Sequence, residues 1–235
     1  MSELSKLKLF ITPPHQCSYL EGQQASTLFI DPDAEINPLL YNELSEIGFR
    51  RSGAHFYRPN CAECNACIPS RVPVESFKPN RQQRKIYNRN QDLQVTAITD
   101  ITAPQYYQLY ERYICQRHSD GDMYPPSKEQ FDSFLGNSLP NTQFYAFSLA
   151  QQLLAVAVTD RLSSGLSAIY TFFDPDCDRR SLGRYAVLWQ IEQAKTLHLP
   201  YLYLGYWIKG CRKMSYKTDY RPLQLLINNR WQTLN

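Results

Sequence analysis

The chain has 235 residues, 43% hydrophobic and 20% charged, enough to bury a sizeable core without disulfide or metal staples. Its net charge of +3 is too mild to name a nucleic-acid partner, so any such role must rest on local clustering. Apolar runs such as Leu153–Val158 fall far short of the roughly 20 residues of a membrane span, and the opening Met1-Ser-Glu-Leu-Ser-Lys-Leu-Lys lacks the layout of a secretory signal. A cytoplasmic protein is the expectation.

Residues 1–95 read as an N-terminal domain and 96–235 as a second one. The first holds short strand-like pieces at Leu7–Ile11, Thr27–Ile30 and Arg71–Val74, and one helix over Pro38–Ile47. That helix has Pro at its start and Gly48 just past its end, the usual asymmetry. Cys61-Ala-Glu-Cys64-Asn-Ala-Cys67 follows, then a basic stretch without acids, Lys78 to Asn90. On a helix, Arg81, Lys85 and Arg89 share one face with Arg84 beside them. Their mutual repulsion suits a polyanion, and a merely solvated face is the competing reading.

The second half alternates clearly. Gln94–Ile98 reads as a strand, and Pro104–Arg117 and Ser127–Leu135 as helices, with Ser127 an N-cap. Phe144–Leu149, Leu153–Asp160 and Leu166–Phe173 read as strands, the first two joined by a tight turn at Ala150–Gln152. Ser181–His198 is a long helix stopped by Pro200, and Tyr201–Leu204 and Leu223–Asn228 close the series. Clustered strands predict an α+β fold: a mixed, mostly antiparallel sheet flanked by helices. The order is similar to the N-acetyltransferase-like (GNAT) fold. In that fold the loop Asp174–Gly183, with Arg180 and Arg184, would offer a helix N-terminus to an anion. The loop lacks the closely spaced glycines of a pyrophosphate cradle, which disfavours coenzyme A.

Seven cysteines without an export signal argue against a disulfide framework. The C-x2-C-x2-C run, with Cys17 as the natural fourth ligand and His15 or His55 as fallbacks, suits a structural zinc ion or an iron–sulfur cluster; three small buried residues are the alternative. The stretch 204–222 interleaves five cations with four aromatics and one acid, a composition that suits a single-stranded RNA end. An amphipathic loop covering the sheet would look the same. His118, alone before a loop, reads first as a cap. There is no P-loop, no H-E-x-x-H and no Ser/His/Asp arrangement.

Tyr57-Arg-Pro-Asn-Cys61, the Cys run, Ser70-Arg-Val-Pro-Val74, Phe173-Asp-Pro175, Ser181-Leu-Gly183, Lys213-Met-Ser-Tyr-Lys217 and Tyr220-Arg-Pro222 resemble the arginyl-tRNA–protein transferases. Arg117-His-Ser-Asp-Gly-Asp-Met123 and the compact chain look most like the bacterial aspartate/glutamate leucyltransferase branch. The resemblance implies a GNAT-like aminoacyl-transferase domain behind a small Cys-bearing domain. It implies transfer of leucine from leucyl-tRNA to proteins with N-terminal Asp or Glu, marking them for degradation in the N-degron pathway. Arginine as donor is the alternative, as are a coenzyme-A-dependent N-acyltransferase and a non-enzymatic RNA-binding module. Neither a membrane nor DNA is an expected partner. No cofactor is required, because the tRNA ester carries the energy. Under this reading Arg71, Lys209, Lys213 and Lys217 would hold the acceptor carboxylate, and Tyr170, Tyr206 or Tyr216 would stabilise the oxyanion or relay a proton. Arg81, Arg84, Lys85, Arg89, Arg180 and Arg184 would take tRNA phosphates.

Overall fold

A strand that is apolar at every position must be covered on both faces. The middle of the strand Gln152–Leu162 is such a stretch, since Leu154 to Val158 are all apolar and buried. The computed structural model describes residues 3–136 and 138–234. In chain order it forms β1 (Leu9–Ile11), β2 (His15–Gln16), β3 (Gln24–Ala25), β4 (Thr27–Ile30), α1 (Pro38–Glu46), β5 (Arg50–Ser52), β6 (His55–Pro59) and β7 (Cys67–Pro73). Then come α2 (Arg81–Arg89), β8 (Gln94–Ile98), α3 (Pro104–Arg117), α4 (Lys128–Phe131), β9 (Thr142–Leu149), β10 (Gln152–Leu162) and β11 (Gly165–Phe173). The chain closes with α5 (Leu182–Thr196), β12 (Tyr201–Ile208), a 3-10 segment (Arg212–Asp219), β13 (Leu223–Ile227) and β14 (Arg230–Leu234).

The large sheet runs β14-β13-β7-β12-β11-β10-β9-β8, and a small one runs β1-β4-β6-β5. β8 to β11 are antiparallel neighbours, as expected; β12 lies parallel to β11, which requires the α5 crossover between them. Alternate residues of β10 serve opposite faces. Val156 and Val158 pack with Leu109, Ile114 and Phe131 from α3 and α4. Ala155 and Ala157 pack with Leu188 and Ile191 from α5 and Ile86 from α2. Further along β10, Leu162 joins Leu40, Tyr41 and Leu44 of α1. The architecture is therefore a mixed α+β fold with a large sheet covered on both faces.

Two expectations are corrected. The division at residue 95 does not separate the sheet: β7 pairs with β12 on one side and β13 on the other, Val72 opposite Leu202 and Arg71 opposite Gln224. The reason is burial, since Ser70, Arg71 and Val72 are buried together, which an interior strand allows. The helix expected over 127–135 starts as foreseen, with Ser127 Oγ accepting from Gln130 N–H at 3.1 Å. It then widens into a π turn over Asp132–Gly136, where the β5–β6 turn at Gly53 packs against Ser133 and Phe134.

A buried ion pair fastens the small sheet to the large one. Arg51 Nε and Nη2 donate to the Asp160 carboxylate at 2.6 and 2.7 Å, and Tyr41 Oη donates to it at 2.6 Å. Breaking such a pair leaves a charge without a partner in a dry place.

Candidate active site

β11 and β12 are registered only at their first residues, Gly165 to Ser167 against Tyr201 to Tyr203, and part beyond them. The parting begins beside a bulge. The register of β12 against β7 shifts between Tyr203 and Gly205, and Gly205 has φ +74°, which suits a residue without Cβ. Ligands bind beyond the carboxyl ends of parallel strands where neighbours diverge. Here that position is a cleft of about 1530 Å³. Its walls are Ile169 to Thr171 of β11, Leu204 to Tyr206 of β12, the first turn of α5 from Ser181 to Arg184, and Lys213, Met214, Tyr216 and Lys217. The β5–β6 hairpin and the loop after α3, with His118, Asp120, Asp122 and Met123, close it.

The α5 terminus and the lysine-bearing 3-10 segment thus face one space. Lys213 ion-pairs with Asp120 at 2.9 Å, and Arg184 with Asp219 at 3.0 Å. Lys217 is different: it is 4% exposed, and Nζ donates to Tyr206 O and to Met214 Sδ. Burial first, then the nearby charge of Arg50, pulls its pKa down to about 7 from 10.5. It is therefore a poor permanent clamp for a carboxylate, but an amine poised to exchange a proton. His118 caps α3 and also borders the cleft, its Nε2 2.9 Å from Tyr113 Oη. Burial and then Lys213 lower its pKa, favouring the neutral ring.

Tyr170, Tyr206 and Tyr216 all border the cleft. Burial raises all three pKa values, that of Tyr216 to about 12, so each stays protonated and keeps an O–H to donate. Tyr206 Oη is already committed, donating to Gly48 O at 2.8 Å. Tyr170 Oη donates to the soft Met123 Sδ at 3.5 Å.

Arg71 does not line the cleft. Its guanidinium pairs with Glu46 at 2.8 Å, donates to Gln224, and is sandwiched between the rings of Tyr201 and Trp231 at 3.5 and 4.1 Å. A cation so engaged is structural, and this corrects the expectation that it holds the acceptor. Lys209 is exposed and also lies outside the cleft lining. Arg81, Arg84, Lys85 and Arg89 form the exposed side of α2, outside the cleft; Asn80 and Gln83 cap the helix reciprocally. Arg180 is tied to Asp92 at 2.9 Å. Arg50, which borders the cleft and which sequence reasoning passed over, has no motif around it that could have singled it out.

Cys17, Cys61, Cys64 and Cys67 border a second pocket of about 340 Å³. Burial, then the neighbouring Cys17, Cys61 and Cys64, pushes the Cys67 thiol up to about 12. As donor chemistry, four thiols suit zinc or an iron–sulfur cluster. Among the described residues, however, no group of three or more His, Cys, Asp or Glu is arranged to hold a metal.

The family model described as the arginine-tRNA-protein transferase N terminus matches residues 15–85, and that of the C terminus matches residues 105–227. The chain belongs to the arginine-tRNA–protein transferase family. It is 59% identical over 235 residues, all of both chains, to a protein of Pseudomonas fluorescens (strain Pf0-1) named aspartate/glutamate leucyltransferase. It is 58% identical, again over all of both chains, to one of the same name from Pseudomonas entomophila (strain L48). Among solved structures, L-PGS from Bacillus licheniformis is similar in fold, with TM-score 0.51 and 10% identity over 94% of this chain and 82% of that one. Among the described residues, no helix of this transferase is long and apolar enough to cross a membrane.

Proposed function

We propose that this chain transfers leucine from leucyl-tRNA to the N-terminal Asp or Glu of acceptor proteins, in the cytoplasm, as the marking step of an N-degron pathway. The observation that carries the reading is 59% identity over the whole length to an aspartate/glutamate leucyltransferase. The parting of β11 from β12 beside the α5 terminus supports a GNAT-like acyltransferase core.

The cleft favours leucine as donor. Met123, Phe134, Ile169, Tyr170 and Phe173 give it an apolar wall. Its acids are occupied: Asp120 by Lys213, Asp178 by Arg117 at 2.7 Å, and Asp122 by the Ser18 hydroxyl at 3.0 Å. An arginyl side chain would find little to pair with.

In the transfer, the acceptor's α-amine attacks the ester carbonyl of leucyl-tRNA. The C–N bond forms, the ribose oxygen leaves, and one proton moves from nitrogen to that oxygen. An α-amine titrates at about 7.7 to 8.0, so Lys217 is matched to take its proton. Tyr170 or Tyr216 would donate to the developing oxyanion, and the α2 face with Arg180 and Arg184 would receive tRNA phosphates. A structural zinc ion or iron–sulfur cluster on Cys17, Cys61, Cys64 and Cys67 would require these thiols to draw together from the positions seen here, and no step passes through it. The test is purified protein with an Asp-starting peptide and either leucyl- or arginyl-tRNA, read by mass. A gain of one leucyl residue is expected; a gain from arginyl-tRNA alone would overturn the donor.

A further inference from the structure

Arg50 opens β5, is 6% exposed, and borders the cleft. Its Nη1 donates to Ser45 O at 3.1 Å and to Phe49 O at 2.7 Å. Its Nε and Nη2 are buried and, among the described residues, have no hydrogen-bond partner. Among the described residues no ion pair includes it. The guanidinium carbon lies 5.3 and 5.9 Å from the ring centroids of Tyr203 and Tyr206, which hold it without neutralising it.

A buried cation with two unmet donors is costly to keep. The neighbouring residue shows what completes it. Arg51 presents the same edge, Nε with Nη2, and both nitrogens grip one carboxylate, that of Asp160, at 2.6 and 2.7 Å. Arg50 has the same fork on a side chain that borders the cleft, and among the described residues no carboxylate fills it.

We propose that the Nε–Nη2 edge of Arg50 binds the side-chain carboxylate of the acceptor's N-terminal Asp or Glu and so sets acceptor specificity. This rests on the transferase reading above. A carboxylate matches the fork with two acceptor oxygens, whereas the amide of Asn or Gln turns an N–H against one of its donors. Lys217 Nζ bonds Tyr206 O and the Arg50 guanidinium lies 5.9 Å from the Tyr206 ring, so a carboxylate held by Arg50 brings the acceptor's α-amine towards Lys217. A polynucleotide phosphate fits worse: the fork is buried, and a bulky sugar–phosphate chain would need far more room to meet it than one short side chain.

The experiment compares kcat/KM for Asp-, Glu-, Asn- and Gln-starting peptides at saturating leucyl-tRNA. It uses the unsubstituted enzyme, Arg50→Lys and Arg50→Gln. Arg50→Lys keeps the cation but loses the planar fork. The Asp-over-Asn ratio is expected to fall by about tenfold or more in Arg50→Lys and further in Arg50→Gln, mainly through KM for the acidic peptides. A folded variant that keeps the parental ratio overturns the proposal, as does a rise confined to KM for leucyl-tRNA. Because the guanidinium also ties Ser45 and Phe49, a second measurement uses the unsubstituted enzyme alone. The Arg50 Nε–H resonance, assigned through bonds, should move with the Asp-starting peptide and not with its Asn counterpart; no movement with either overturns the proposal. If the unsubstituted enzyme passes no leucine to any Asp-starting peptide, the transferase reading fails instead.

Discussion

Lys217→Met removes an ionisable group from a place that resists charge while keeping a similar unbranched stem. Its depression from 10.5 to about 7 means that folding works against it by about 5 kcal/mol near neutral pH. The sign follows from proton counts. Between about pH 7 and 10.5 the unfolded chain holds the Lys217 proton and the folded one does not, so stability rises with pH across that window. The penalty is complete below pH 7 and gone above 10.5. Losing the bond to Tyr206 O returns roughly 1 to 2 kcal/mol. Lys217→Met should therefore be more stable than its parent by about 3 kcal/mol at pH 6, with the advantage shrinking steadily towards pH 10. Urea denaturation at pH 6, 8 and 9.5 measures it. Transfer by the same variant should fall by about 100-fold or more, and the limb near pH 7 in kcat/KM should disappear. A stability difference that does not change with pH would mean that the amine is charged in the fold, and would refute its use as a base.

Arg71→Met should cost about 3 kcal/mol in urea denaturation, because Glu46 loses its partner, yet leave the preference for Asp- over Asn-starting peptides unchanged. A shifted preference would return Arg71 to the acceptor site. Reversing Arg84 and Lys85 to Glu should weaken tRNA binding and reduce the slope of log affinity against log salt by about 1 to 2, measured by fluorescence anisotropy. An unaltered slope would make that face of α2 a solvated surface. Replacing Cys61, Cys64 and Cys67 with Ser should abolish metal bound by the purified parent, read by elemental analysis; equal metal content in both would contradict ligation there.

Elements with strong local signals were legible in the sequence. α3 runs over Pro104–Arg117 as its Pro start implies, and β4 and β8 match their expected ranges. The turn after β9 places Ala150 and Gln151 at φ +45° and +70°, so tertiary pairing of β9 with β10 holds two ordinary residues where glycine is usual. β5 and β6 escaped notice because Arg50-Arg-Ser and His55-Phe-Tyr-Arg-Pro59 are too polar and short to alternate. The site was legible by composition and not by geometry. Lys213, Lys217, Arg184 and the three tyrosines do meet in one cleft. Residue type could not separate Arg71, neutralised by Glu46 25 positions away, from Arg50, which has no carboxylate among the described residues.

The placement of β7 limits how this enzyme can be taken apart. The strand is made early, before any of its sheet neighbours β12 and β13 exist, and must wait for most of the chain before it is paired. A fragment starting after residue 95 would carry a gap between those two strands, with raw backbone margins open to any passing chain. Swapping halves between relatives would succeed only where the incoming strand repeats the register of Val72 with Leu202.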